Sequence, residues 1–132
     1  MMNKKGFTLV ELAVVIVIIG VLAAFGVPRF REAVERSKAG EAFNYLSAIR
    51  SSQERYHSRQ GAYAGDPAEL DINFPNPKYF SISDVTFDED SWEVTLFRTG
   101  KSAGYGKYSV KFTETGYSTD SNIPAAINPM AN

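Results

Sequence analysis

The chain has 132 residues, 14 basic and 15 acidic side chains, and no cysteine. That length allows one small domain plus an extension. The near-neutral net charge gives no sign of a nucleic-acid surface, and the lack of cysteine excludes disulfides and thiolate metal sites.

The first element is a long apolar run. From Phe7 to Val27 there are 21 residues and one charge, Glu11. About 20 apolar residues span a bilayer. Lys4, Lys5 and Gly6 stand before this run. A secretory signal has its small-residue cleavage site after the apolar stretch; here the small residue at the charged-to-apolar junction precedes it. A cut at Gly6 removes the basic leader, residues 1–6, and keeps residues 7–27 as a hydrophobic helix. A carboxylate inside a bilayer is costly and marks a functional candidate, which singles out Glu11.

After Pro28, apolar or small residues recur at Ala39, Ala42, Phe43, Leu46, Ile49, Gln53 and Tyr56, and Phe30 and Val34 extend the stripe toward Pro28. Steps of three and four are helical. The spacing predicts one helix from about Phe7 to Arg59, roughly 80 Å long, bent at Pro28. Its second half is amphipathic and should carry a domain on one face. Gly20 and Gly26 are weak points in the first half. Gly61 accepts the left-handed cap conformation and ends the helix. In the following loop, Asp66-Pro67-Ala68-Glu69 has an N-cap, a first-turn proline and a third-position glutamate in order, which predicts a single helical turn.

Strands follow. Tyr79 to Phe87 reads as a strand whose apolar phase slips between Ile82 and Val85, as at a bulge. Trp92, Val94 and Leu96 alternate with Glu93, Thr95 and Phe97; Tyr108, Val110 and Phe112 alternate with Ser109, Lys111 and Thr113. Period two with one polar face describes a sheet covered on one side, with Thr95 and Lys111 outside. The tail from Ser118, with Pro124 and Pro129, reads as irregular and lying over the sheet. The expected architecture is α+β: a long N-terminal helix packed on an antiparallel sheet of three or four strands. Its core should include Leu46, Ile49, Trp92, Val94, Leu96, Tyr108, Val110 and Phe112.

No phosphate loop, catalytic carboxylate pair or metal-ligand spacing appears. The lone His57, near Arg55 and Arg59, lacks partners for acid–base work, so neither enzyme activity nor a cofactor is expected. The acidic run Asp84, Asp88, Glu89 and Asp90 departs from EF-hand spacing and reads as a solvated hairpin turn. The aromatics of the strands fall at core spacing, so packing accounts for them.

The segment KKGFTLVELAVVIVIIGVLAA resembles the class III signal of type IV pilins and pseudopilins. The resemblance implies cleavage between Gly6 and Phe7 by a prepilin peptidase that then N-methylates the Phe7 amine. It implies that Glu11 is the assembly glutamate, that Gly20 and Pro28 mark where the helix bends or unwinds in a filament, and that residues 28–132 form the pilin head. The implied function is a structural subunit of a type IV pilus, with copies of itself and an inner-membrane assembly platform as partners. Its place would be the inner membrane before assembly and the cell surface afterwards. Two alternatives stand beside it: a pseudopilin of a type II secretion system, and a membrane-anchored periplasmic protein that never polymerises. Many type IV pilins close their C-terminal loop with a disulfide, and this chain departs from them there.

Overall fold

Local sequence dictates where the long helix begins. Thr8 adopts an extended conformation, its hydroxyl accepts the Glu11 N–H, and the Glu11 carboxylate accepts the Thr8 N–H. This reciprocal capping box starts α1, Leu9–Gln60, in a computed structural model that describes residues 6–72 and 75–131. Lys4 and Lys5 of the leader lie outside the described residues. The helix runs unbroken through Gly20, Gly26 and Pro28. It ends at Gly61, whose φ of 79° is the left-handed cap expected of glycine. The Asp66 side chain caps a short 3-10 turn, Pro67–Glu69, as its sequence predicts.

Four strands follow: β1 (Phe80–Phe87), β2 (Trp92–Arg98), β3 (Ser109–Thr113) and β4 (Gly116–Tyr117). They form one antiparallel sheet in chain order. Register between β1 and β2 shifts between Ser83 and Thr86, where the apolar phase slips, and Asp84 there has a positive φ of 50°. The fold class is therefore the expected α+β, and the sheet has four strands, the last of only two residues.

All eight expected core residues are buried. Phe43 of α1 stacks on Tyr117 at 5.7 Å and meets Phe112 edge-on at 5.9 Å, an arrangement that aromatic quadrupoles favour. Gln53 acts as a side-chain clamp: its amide accepts the Ala64 N–H at 2.9 Å and donates to the Ala64 carbonyl at 3.3 Å. That holds the post-helix loop against α1.

Two expectations need correction. Thr95 is not on an open face but buried. It sits in a central strand between Ser83 and Lys111, and Lys111 is tied across that same face to Glu93 and Asp120. The tail is not irregular throughout. Asn122 pairs with Ser109 at the edge of β3, and a 3-10 turn, Ala125–Ile127, buries Ile127 against the core. Arg36 on α1 donates to the Ala126 carbonyl, so the tail is fastened to the helix as well as to the sheet.

Candidate functional site: the N-terminal arm and its grip on the head

The N-terminal half of α1 has no partner within the chain. Large apolar side chains from Leu9 to Phe30 are exposed on every side of the helix, and an 18-residue window reaches a mean hydropathy of 2.8 with none of it buried. A helix apolar all round belongs in a membrane or in the core of a larger assembly. By length and composition it is long enough to cross a bilayer.

Gly6 and Phe7 lie in non-helical backbone immediately before the cap, and Phe7 is 84% exposed. The junction is thus presented as accessible chain at the mouth of a helix. Glu11 sits one turn inside. One of its carboxylate oxygens accepts the Thr8 N–H at 3.1 Å, while Thr8 Oγ1 accepts the Glu11 N–H at the same distance. Gly6, Phe7 and Glu11 are therefore brought together at one end. Gly20 and Pro28 lie farther along the same rod, about 13 and 25 Å from Glu11. Space around Gly20 and Gly26 is open. The capping box was legible as Thr8-x-x-Glu11, yet the charge of Glu11 in an apolar run draws attention away from it.

The head takes hold of the helix at Glu35, the first side chain along α1 to be buried. Its carboxylate accepts from Arg98 Nε at 2.7 Å, from Arg98 Nη2 at 3.1 Å and from the Tyr108 hydroxyl at 2.6 Å. Arg98 also donates to the carbonyls of Tyr79, Thr99 and Lys101. The guanidinium packs near the rings of Tyr79 and Phe80. Burial pushes the Glu35 carboxyl up, but the bonds from Arg98 and Tyr108 together outweigh it and hold it below its ordinary value. The Tyr108 hydroxyl is pushed up by burial and by that same carboxylate. Sequence reasoning missed Glu35 and Arg98. The signal was present: Glu35 precedes Ala39, Ala42 and Phe43 on the helical stripe, and Arg98 continues the inward series Trp92, Val94, Leu96.

His57 packs against Tyr63 with centroids 4.5 Å apart and the rings tilted by 37°. Asp84, Asp88, Glu89 and Asp90 are exposed around the β1–β2 turn, which is closed by a bond from the Asp88 N–H to the Ser91 carbonyl. Among the described residues no three His, Cys, Asp or Glu side chains converge as a metal site.

Residues 1–27 match the family model described as the prokaryotic N-terminal methylation motif. The chain is 36% identical over 105 residues to the fimbrial protein EcpC of Eikenella corrodens, covering 79% of this chain and 67% of that protein. It is 37% identical over 95 residues to the type IV narrow pilus major component PilA5 of Thermus thermophilus, covering 72% and 78%. Against the type IV major pilin PilA of Myxococcus xanthus it is 42% identical over 68 residues, 52% of this chain and 31% of that protein. An exposed apolar arm that opens on a methylation motif, a head of helix on antiparallel sheet, and pilin relatives matched over most of the chain make this chain a member of the type IV pilin family, whose members are the structural subunits of pili.

Proposed function

We propose that the chain is made as a precursor, inserted in the inner membrane through residues 7–27, cut between Gly6 and Phe7 and N-methylated at Phe7 by a prepilin peptidase. An inner-membrane assembly platform then adds it to a surface filament of identical subunits. The observation that carries this reading is the unpartnered apolar arm with an accessible Gly6–Phe7 junction at its capped end. Gly6 suits a peptidase that must approach the backbone closely, because no Cβ stands in the way.

Glu11 is assigned the assembly role. Cleavage leaves a cationic amine at Phe7, with a reference pKa near 7.7–8.0. Inside a low-dielectric filament an unpaired carboxylate is costly, and pairing with a neighbour's Phe7 amine removes most of that cost. The capping box engages one Glu11 oxygen with its own Thr8 and leaves the other for the neighbour. Gly20 and Pro28 are the points at which the arm bends or unwinds as subunits pack.

The test is mass spectrometry of the mature subunit together with electron microscopy of sheared filaments. The expected mature mass begins at methylated Phe7. Glu11→Leu should be cleaved and retained in the membrane while filaments are lost or sharply reduced. A mature chain starting at Met1, or full filament yield from processed Glu11→Leu protein, would overturn these assignments.

A further inference from the structure

Charge in the head is sorted along the axis of α1. Next to the apolar arm the helix carries Arg29, Arg31, Arg36 and Lys38, and two loops at the same end add Lys78, Lys101 and Lys107. Both loops are held at this end. The Lys101 carbonyl accepts from Arg98, which is paired to Glu35, and the Tyr79 N–H donates to Glu41. The loop from β2 to β3 reaches the arm itself: Arg31, Ala103, Gly104 and Tyr105 share a shallow cavity of about 250 Å³ with Val27 and Pro28. The buried Glu35–Arg98 pair cancels, so only Glu32 and Glu41 oppose seven cations. The rest of the head, residues 42–77, 80–97 and 109–132, has the opposite balance, four basic against eleven acidic side chains.

We infer that this cationic collar is a docking surface for anionic phospholipid headgroups of the leaflet from which the arm emerges. The inference rests on the membrane-spanning reading of residues 7–27. That reading puts Arg29 and Arg31 at the headgroup layer and the loop carrying Lys101 and Lys107 beside them, since its Ala103–Tyr105 stretch meets Val27, Pro28 and Arg31; Lys78, near Glu41, stands farther out. Half-buried Tyr105 supplies an amphipathic aromatic ring of the kind that favours such an interface. Orientation rules place basic residues on the cytoplasmic side. Here leader removal takes Lys4 and Lys5 away and leaves four cations between Arg29 and Lys38 on the far side, an arrangement that calls for a compensating anionic surface. Polybasic segments beside a span bind anionic lipid in this way. The acidic end of the head is repelled by the same surface, so the head stands upright on the membrane.

A second copy of the chain, offering its acidic end, is the rival occupant. The collar favours lipid because it is continuous with the apolar arm. Several distal carboxylates are also already paired within the chain: Asp71 with Arg55, and Glu93 and Asp120 with Lys111.

The absence of cysteine allows a single site-specific label. The mature full-length chain carrying Ala103→Cys, labelled with an environment-sensitive dye, is reconstituted in phosphatidylcholine vesicles or in vesicles with equal parts phosphatidylglycerol, each doped with a headgroup quencher. Quenching should be several-fold stronger with phosphatidylglycerol. It should fall to the phosphatidylcholine level in high salt, and equally when Arg31→Gln, Lys101→Gln and Lys107→Gln are combined; all three side chains are exposed, so helix content by circular dichroism should not change. Equal quenching in the two lipids, or indifference to the triple substitution, overturns the proposal. So does quenching that tracks protein density and not lipid charge, which assigns the collar to a second copy. Release of the protein by alkaline carbonate would instead remove the spanning reading on which the collar depends.

Discussion

Glu35 is the residue on which the head's attachment turns. A buried ion pair is weak evidence for net stability, but removing one partner strands the other and costs about 3–5 kcal/mol. Glu35→Leu should therefore lower the thermal midpoint sharply, because Arg98 would be left buried without its carboxylate. Combining Glu35→Leu with Arg98→Met and Tyr108→Phe should recover most of that loss, and calorimetry of the three proteins checks it. Acid should act on the same contact. Because the folded protein holds Glu35 below its ordinary value near 4.5, its contribution is complete above that value and is lost as pH falls through the depressed one. Asp71 follows the same sign, held low by bonds from Arg55 and Ser52. Denaturant midpoints should fall below about pH 4.5, and Glu35→Gln should flatten that region of the profile.

At the scale of elements, the sheet phase makes a sharp contrast. Val94 faces α1 and is fully buried, so Val94→Asp forfeits about 1.5–3 kcal/mol of burial and adds a desolvated carboxylate; the head should unfold. Thr95→Lys puts a second ammonium directly opposite Lys111, a like-charge pair costing on the order of 1 kcal/mol. It also adds desolvation at a buried position, which its long flexible chain reduces by reaching toward solvent, so its loss should be the smaller. Urea titration of the two variants should rank them in that order. The tail is also an element with a defined place: Ile127→Ala empties a fully buried site and should cost about 2–5 kcal/mol, where an irregular tail would lose almost nothing. Unbroken hydropathy located the first half of α1, and period was enough to locate its second half, the three longer strands and the bulge, because one face of each is apolar. It could not place the tail or the burial of Thr95. Both depend on pairing between segments, Ser109 with Asn122 for the tail and Thr95 with Ser83 and Lys111 on its two sides. Glu35 and Arg98 stayed hidden for another reason: a charged side chain reads as solvent-facing until its partner is known, and their partnership spans 63 positions.

For the whole molecule, the division between arm and head was legible at once, since hydropathy changes at Pro28, although Phe30 and Val34, which continue the helical stripe in sequence, are exposed in the structure. Less legible was where the head first touches the arm. From Glu35 onward α1 is held by ion pair, aromatic stacking and the Gln53 clamp; before it the helix stands free apart from the loop at Pro28. That arrangement has a mechanical consequence. A pull along the arm arrives at the head through Glu35, and Arg98 passes it to three backbone carbonyls as well as to its own strand. The bonds gathered at this point share the load, so they resist it jointly instead of breaking in turn. In a stretched fibre the subunit should yield first in the free helix around Gly20 and Pro28, lengthening there while the head stays folded. Infrared spectra of extended fibres would register this as a loss of helical amide signal with the sheet signal unchanged.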